Sequence, residues 1–288
     1  MSRISSFVAL STLALRAVAQ IPATASATDL ALVEAQYVNS GLASTSNTGF
    51  GVPLKATALL TIEYGFGTIS NGAAYTVDQV FVTPTNSTAS SFTSSSLYTL
   101  TLADAASLGD PDVEGNYRHF LVNGLTGAAA SGANETFEPT GGNVITAYAA
   151  PGPIAGTGPH RYAWLLFSQP SSFAAPANLS STTAASHWNV SSYVSSSGLG
   201  DLIAASFFTV ENGTPTGSVA STQAVNTATL ASAASSAASA GSSAAKSASS
   251  GASSSAAATG SQAANSGAGK TQVAGSLALG AGVVALFL

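Results

Sequence analysis

The sequence predicts a mainly β, sandwich-like domain followed by a long segment without regular structure. Short runs rich in Val, Ile, Thr and aromatic residues recur between residues 57 and 210, and Gly, Pro and Ser separate them. Only one early stretch has the spacing of an amphipathic helix. No aromatic residue lies between Phe208 and Phe287, so this part of the chain has little to bury. One β domain with a disordered tail therefore fits better than two domains.

The predicted helix comes first and covers residues 29–38. Thr28 can cap its start, and Gly41 can end it. Three side chains fall on one face at positions i, i+3 and i+7: Leu30, Val33 and Tyr37.

The pattern then changes to that of strands. The run L-Y-T-L-T-L at 97–102 alternates apolar and hydroxyl residues, as a half-buried strand does. The run Y-A-W-L-L-F at 162–167 is continuously apolar, which suits a strand buried on both faces. Further strands are predicted at 57–64, 77–82, 119–123 and 203–210, and one or two helical turns at 188–194.

Composition excludes several functional classes. The chain of 288 residues has no cysteine, which excludes a disulfide scaffold, thiol catalysis and Cys-ligated zinc. The formal charge of −5 argues against a nucleic-acid binder. Only 7% of residues are charged, where about 25% is usual. Each ionisable group is therefore informative.

The first 19 residues have the pattern of a secretory signal peptide. Arg3 precedes a short apolar run, and Ala17-Val18-Ala19 is a small-x-small cleavage site that would leave Gln20 as the N-terminus. An ordinary N-terminal helix is the alternative interpretation.

The last residues have the pattern of a glycosylphosphatidylinositol-anchor signal, with Asn265 as the attachment site and 266–288 removed. Small residues, a polar spacer and the apolar run 273–288 follow one another. Ser261 or Ser266 is an alternative site. A C-terminal transmembrane helix is the other interpretation, but sixteen residues with three glycines are short for a span.

Between these ends we expect a domain at 20–216 and a disordered, O-glycosylated Ser/Ala-rich stalk at 217–265. Residues 20–265 hold four basic residues against all twelve acidic ones, a formal charge of −8. Five sequons predict N-glycosylation: Asn86, Asn134, Asn178, Asn189 and Asn212, the last being the poorest because Pro215 follows its Thr. The expected location is the cell surface, anchored to the plasma membrane or wall, as in a fungal-type surface protein.

Two histidines stand beside arginines at predicted strand edges, in Arg118-His119 and His160-Arg161. The second pair follows a glycine-rich loop at 151–159, and Asp104 ends a predicted strand. Imidazoles, a tyrosine hydroxyl and loop N–H groups would form a donor-rich cavity suited to phosphate or carboxylate. The two arginines line this cavity or pair with surface acids. Tyr162 and His187 have simpler alternatives, as a core residue and as a structural or surface residue.

Several stretches resemble the phosphatidylethanolamine-binding protein family in order and spacing. They read Y-T-L-T-L-A-D, N-Y-R-H-F-L-V-N and G-T-G-P-H-R-Y-A-W-L-L-F, with weaker similarity in T-I-E-Y-G, T-V-D-Q-V and G-L-G-D-L-I-A-A-S-F-F. The resemblance covers roughly residues 50–211. It implies a sandwich of two antiparallel sheets with a small anion pocket that uses Asp104, His119, His160, Tyr162 and the backbone around Gly152.

One motif departs from that family. Its D-P-D-x-P reads D-A-A-S-L here, so Ala106 stands where a second Asp is expected. Asp110 or Asp112 could reach in from the following insertion. The missing carboxylate puts head-group selectivity in doubt, because it could have met an ammonium group.

Three functions follow as hypotheses. The first is a non-enzymatic binding module for phosphate-bearing ligands such as phospholipid head groups, with no metal, cofactor or nucleic acid. The second is a wall mannoprotein or protein-interaction module, including protease inhibition, with a vestigial pocket. The third is a hydrolase that uses a metal held by the two histidines and Asp104, or a Ser/His pair. Neither G-x-S-x-G nor H-E-x-x-H occurs in the sequence.

Overall fold

The computed structural model describes residues 25–45, 49–90, 96–110, 116–126, 134–137 and 141–217, with a few positions between 220 and 230. They belong to one compact unit within 1–242, and residues 243–288 form a second unit outside the described residues. The predicted signal peptide, the anchor signal with Asn265 and most of the stalk therefore lie outside the described part. So do the side chains of Asn86 and Asn134. Among described residues, no helix has the length and apolar character needed to cross a bilayer.

Strands dominate the described residues. In chain order the elements are α1 (Ala27–Asn39), β1 (Leu60–Tyr64), β2 (Gly67–Thr68), β3 (Ala73–Tyr75), β4 (Asn86–Ser90), β5 (Leu97–Ser107), β6 (Tyr117–Thr126), β7 (Asn134–Phe137), β8 (Asn143–Thr146), β9 (His160–Gln169), α2 (Val190–Ser197) and β10 (Leu202–Val210).

The strands form two sheets, in the orders β2-β1-β4-β7 and β3-β10-β9-β5-β6-β8. Every named pairing is antiparallel except that of β3 with β10. The mainly β, two-sheet fold class predicted from the sequence is thereby confirmed.

The six-stranded sheet is buried on both faces, as the apolar run in β9 predicts. Tyr162, Trp164 and Leu166 point into one apolar cluster together with Ile62 of β1. The alternate residues of β9 point into a second cluster, which also contains Val33 of α1. Because successive strand residues face opposite sides, a continuous apolar run is what two covered faces require.

Two local predictions were wrong. Residues 77–82 are not a strand: they hold the 3₁₀ turn Asp78–Val80. Thr76 and Gln79 bond reciprocally, with the Thr76 N–H donating to Gln79 Oε1 at 2.8 Å and the Gln79 N–H donating to Thr76 Oγ1 at 3.3 Å. These bonds satisfy the turn's free N–H groups and outweigh the β propensity of the three valines at 77, 80 and 82.

The helix boundaries also differ from the prediction. Ser26 rather than Thr28 caps α1, accepting the Asp29 N–H at 3.1 Å. The helical turns expected at 188–194 form α2 slightly later, with Asn189 as the cap and Gly198 in the left-handed conformation at its end. The short strands β2, β3, β4, β7 and β8 carry too few residues for a sequence pattern to mark them.

Candidate functional site

A cavity of about 400 Å³ opens at the end of the larger sheet where β5, β6 and β9 run side by side. One side, here called the strand wall, consists of Asp104, Ala106, His119 and His160. The other side, the loop wall, consists of residues 149–150 and 152–154 with Ser186 and His187. Four residues predicted as ligand-binding, namely Asp104, His119, Gly152 and His160, therefore share one cavity.

Two β-bulges shape the strand wall. In the β5–β6 ladder, Leu102 faces Phe120 and Ala103 faces Arg118, so His119 has no partner in β5. In the β5–β9 ladder, Asp104 faces Tyr162 and Ser107 faces His160, so the two residues Ala105 and Ala106 lie opposite the single residue Arg161 and β5 has one extra residue. A bulge bends its strand and redirects a side chain. Here the bulged residues His119 and Ala106 both face the cavity.

Asp104 and His160 form a buried pair. His160 Nδ1 lies 2.9 Å from Asp104 Oδ2. Asp104 Oδ1 accepts the backbone N–H of Ala106 at 2.6 Å, so each carboxylate oxygen already has a donor. On the other side of the ring, His160 Nε2 lies 2.8 Å from Thr157 Oγ1.

These contacts define the proton arrangement of His160. The Thr157 hydroxyl donates its one proton to the Ile154 carbonyl at 2.7 Å. Nδ1 of His160 faces a carboxylate that only accepts, so Nδ1 carries a proton and donates to Asp104. Both oxygens of Asp104 therefore already have donors within the protein.

His119 is held differently. Its Nδ1 lies 2.9 Å from the Ala149 carbonyl and carries the proton of that bond. Burial lowers the pKa of His119, and the backbone bond to Ala149, the charge of Asp104 and a backbone bond to Ala150 oppose this only in part. The charge of His160 also lowers it. Nε2 is therefore the ring nitrogen available to a ligand, and it gains a proton in acid.

Tyr162 lies beneath the cavity rather than in its lining. Its ring stacks on Phe208 and meets His119 edge-on at 5.2 Å between ring centroids. The hydroxyl lies near Asp104 and the Gly152 backbone N–H without completing a hydrogen bond to a described residue. Burial, and then the charge of Asp104, raise the pKa of Tyr162, so the hydroxyl stays protonated and can donate.

Neither arginine lines the cavity, which corrects one expectation. Arg161 donates to the backbone carbonyls of Ser40, Ala105 and Ala106, and burial lowers its pKa to about 10 against the opposing charges of Asp104 and Asp110. Arg161 thus ties the bulge of β5 to the end of α1.

Arg118 is also buried. It donates to Thr146 Oγ1 at 2.6 Å and lies 5.4 Å from the ring of Trp188. Its contacts hold β8 and the 183–188 segment against β6.

The loop wall is held by few bonds. The segment 212–216, here called the strap, follows β10 and lies along the loop before β9. Asn212 Nδ2 donates to the Pro153 carbonyl at 3.1 Å, the Gly156 N–H donates to the Asn212 carbonyl at 2.9 Å, and the Thr216 N–H donates to the Gly156 carbonyl at 3.0 Å.

His187 is a cavity residue that sequence reasoning placed at the surface or in a structural role. It is exposed at the mouth. Trp188 and Asn116 exchange two backbone hydrogen bonds, and this pairing brings the neighbouring His187 beside β6. Because the two segments are about seventy residues apart, no local pattern marks the contact.

Two residues of the cavity have an unusual backbone. Ala106 has φ 51° and His187 has φ 56°, and they are the non-glycine residues with positive φ in the described part of the chain. This left-handed conformation costs a residue with a side chain about 1 kcal/mol. One strained residue lies on each wall, and such strain concentrates at functional sites.

Other acidic candidates do not reach the cavity. Asp110 is not among its lining residues, and Asp112 lies outside the described residues. Within the described part of the chain, no group of three or more His, Asp and Glu side chains is arranged to hold a metal ion. The facial triad of the hydrolase hypothesis is therefore not formed by Asp104, His119 and His160, since Asp104 is bonded to His160.

The chain is similar to proteins of one known family. A family model described as phosphatidylethanolamine-binding protein matches residues 58–210, which include the entire strand wall. The structure of a carboxypeptidase Y inhibitor, solved in complex with its cognate proteinase, is similar with a TM-score of 0.50 and 19% identity, covering 62% of this chain and 95% of that one.

Two further structures are similar at lower scores. A phosphatidylethanolamine-binding protein from Plasmodium vivax has a TM-score of 0.44 and 16% identity, covering 55% of this chain and 87% of that one. The protein from Plasmodium falciparum has a TM-score of 0.45 and 12% identity, covering 63% and 96%.

Proposed function

This chain belongs to the phosphatidylethanolamine-binding protein family, whose model matches more than half of it, and from that premise we propose that its cavity binds phosphate-bearing ligands. Phospholipid head groups are one source of such a phosphate. The family's members are generally binding or inhibitor proteins. The proposed role is therefore that of a binding module rather than of an enzyme.

One observation carries the proposal: two histidines from different strands and a glycine backbone converge on a single small cavity. The donors proposed for the ligand are His119 Nε2 in its protonated form and the Gly152 N–H, with the buried Tyr162 hydroxyl beneath them. Hydrogen bonds from donors to an anion are roughly twice as strong as neutral ones. A cavity of about 400 Å³ suits a phosphate with a short substituent.

The direct test is calorimetric titration with inorganic phosphate. We expect saturable binding by the parent domain and a loss of at least about tenfold in affinity in His119→Ala and His160→Ala. Lys55→Ala is the matched control. Lys55 is exposed and pairs with Asp201 at the opposite end of β10 from His160, so its loss tests for non-specific attraction of anions.

The proposal fails if the parent protein does not bind phosphate at millimolar concentration. It fails equally if the two histidine variants keep parental affinity while remaining folded by circular dichroism. If Lys55→Ala lost as much phosphate affinity as the histidine variants, the binding would reflect non-specific attraction of anions to the surface and not binding in the cavity.

A second candidate is recognition of a protein partner at the cavity mouth. It is favoured by the similarity of fold to the carboxypeptidase Y inhibitor. It is also favoured by Ile154, which is 74% exposed, and Tyr117, which is 43% exposed, both beside the cavity. Inhibition of carboxypeptidase Y by the parent, weakened in Ile154→Ala, would support it, and the absence of inhibition would remove this partner.

We also propose that the domain is displayed on the cell surface by a lipid anchor at Asn265. The apolar run 273–288 and the Ser/Ala-rich segment before it support this location. Release from cells by a phosphatidylinositol-specific phospholipase tests it. Among the sequons, Asn178 and Asn189 are exposed, whereas the Asn212 side-chain nitrogen is bonded to Pro153. A mobility shift after deglycosylation should therefore survive Asn212→Gln.

A further inference from the structure

The charges around the cavity point to a ligand more specific than phosphate in general. Asp104 is the acidic residue in the described lining, and both of its oxygens already accept hydrogen bonds, from His160 and from the Ala106 backbone. No carboxylate oxygen in the described lining is therefore without a donor from the protein itself.

Ala106 occupies the place in the strand wall where a side chain could receive a cationic group. It is next but one to Asp104, it lines the cavity, and it carries only a methyl group. Its φ of 51° is a conformation in which Asp and Asn are several-fold enriched over alanine. The backbone here suits a polar residue, yet the side chain present is apolar.

The opposite wall adds a third imidazole. His187 lines the mouth of the cavity. Its backbone has a φ of 56°, and it directly precedes Trp188, which pairs with Asn116. Among the described lining residues, the titratable ones are three histidines and a tyrosine against one carboxylate whose oxygens both have donors. This described set favours an anion over an ammonium group.

We propose that the cavity selects phosphate monoesters that lack an ammonium group, with Ala106 and His187 as the residues that set this preference. This inference rests on the proposed function and narrows its ligand class. An ethanolamine substituent adds no affinity here. Its ammonium group would lose hydrating water beside the methyl group of Ala106 without gaining an opposite charge as a partner.

The test uses two ligands of the same shape, O-phosphoethanolamine and n-propyl phosphate, which differ in an ammonium against a methyl group. In the parent protein, calorimetry should give n-propyl phosphate an affinity at least equal to that of O-phosphoethanolamine. In Ala106→Asp the ratio should shift by about tenfold towards O-phosphoethanolamine. Ala106→Asn has the same shape without the charge and should leave the ratio at its parental value.

His187→Asn tests the other determinant, since Asn tolerates the left-handed backbone. The affinity for each of the two ligands should fall by about threefold, and the ratio of the two affinities should not change. Parental affinity for both ligands in this variant would remove His187 from the inference.

Lipid and soluble sources of the phosphate are separated with vesicles of phosphatidylcholine containing either phosphatidic acid or phosphatidylethanolamine. Retention on phosphatidic acid vesicles, displaced by n-propyl phosphate, supports a lipid phosphate monoester. Binding of n-propyl phosphate without retention on vesicles supports a soluble one.

The inference is overturned if the parent binds O-phosphoethanolamine about tenfold more tightly than n-propyl phosphate, or is retained only on phosphatidylethanolamine vesicles. If the parent binds neither soluble ligand, the proposed function itself fails. These two failures are distinct, because only the first leaves a functioning phosphate site.

Discussion

The strand wall and the loop wall enclose the same cavity but are held by different interactions. Asp104, His119 and His160 of the strand wall belong to strands that pair along most of their length and pack on both faces. The loop wall has no ladder of its own. It depends on single bonds, such as that from the Ala149 N–H to the His119 carbonyl at 2.8 Å and those of the strap.

This difference separates two tasks. Ligand donors placed on paired strands keep their geometry, because packing restricts their rotamers. Connections carry fewer constraints and vary more readily in sequence. In the proposed function, the strand wall contributes the two histidines, and the loop wall contributes the Gly152 backbone and the access to the cavity.

Arg161→Met should destabilise the strand wall. It removes the donor to the carbonyls of Ser40, Ala105 and Ala106 and leaves them buried without a partner. We expect the free energy of unfolding to fall by about 3 kcal/mol, measured by urea denaturation. Lys55→Met is the control, because its ion pair is exposed and should contribute less than about 1 kcal/mol. An equal decrease in the free energy of unfolding in Arg161→Met and Lys55→Met would contradict the role of Arg161 in tying β5 to α1.

The affinity for an anion should rise as the pH falls, because of His119. Burial holds the pKa of His119 below its ordinary value of about 6.5. A bound anion favours the protonated ring, so binding is tighter where that form is accessible. Sulfate is the probe, since its charge is constant in this range. Its affinity should increase by about tenfold from about pH 8 to about pH 5.

The control for this pH effect is His119→Gln, which keeps a polar side chain that does not titrate. Its sulfate affinity should vary by less than about twofold over the same range. A pH profile of sulfate affinity unchanged by this substitution would contradict the role given to His119.

Asn212→Ala should loosen the loop wall alone. It removes the strap's side-chain bond to Pro153. We expect the free energy of unfolding to fall by about 1 kcal/mol and phosphate affinity to weaken by about threefold. Asn178→Ala is the control, because Asn178 is exposed and away from the cavity lining. An unchanged phosphate affinity in Asn212→Ala would show that the strap does not position the loop wall.

Ala106→Gly should relieve strain on the strand wall. Its φ of 51° suits glycine better than alanine, and the N–H that Asp104 accepts is retained. The relief exceeds the entropy cost of glycine by about 0.5 kcal/mol, so the free energy of unfolding should rise slightly. Ala163→Gly, in the middle of β9, should lower it by about 1 kcal/mol. The two substitutions should therefore differ in sign when measured by urea denaturation.

Local sequence patterns were enough to predict the fold class and the main strands, and the resemblance to a family was enough to predict four residues that line the cavity. The buried run of β9 and the alternation in β5 are local patterns, because burial on one or two faces dictates residue type at each position. The resemblance of G-T-G-P-H-R-Y to a known family selected His160 and, with it, Asp104 and His119.

Tertiary structure alone decided the rest. The bulge that turns His119 into the cavity arises from the register between β5 and β6. The buried bonds of Arg161 and the place of His187 depend on segments far away in the chain. No local pattern encodes these features, because they come from hydrogen-bond partners that meet only after the sheet has assembled.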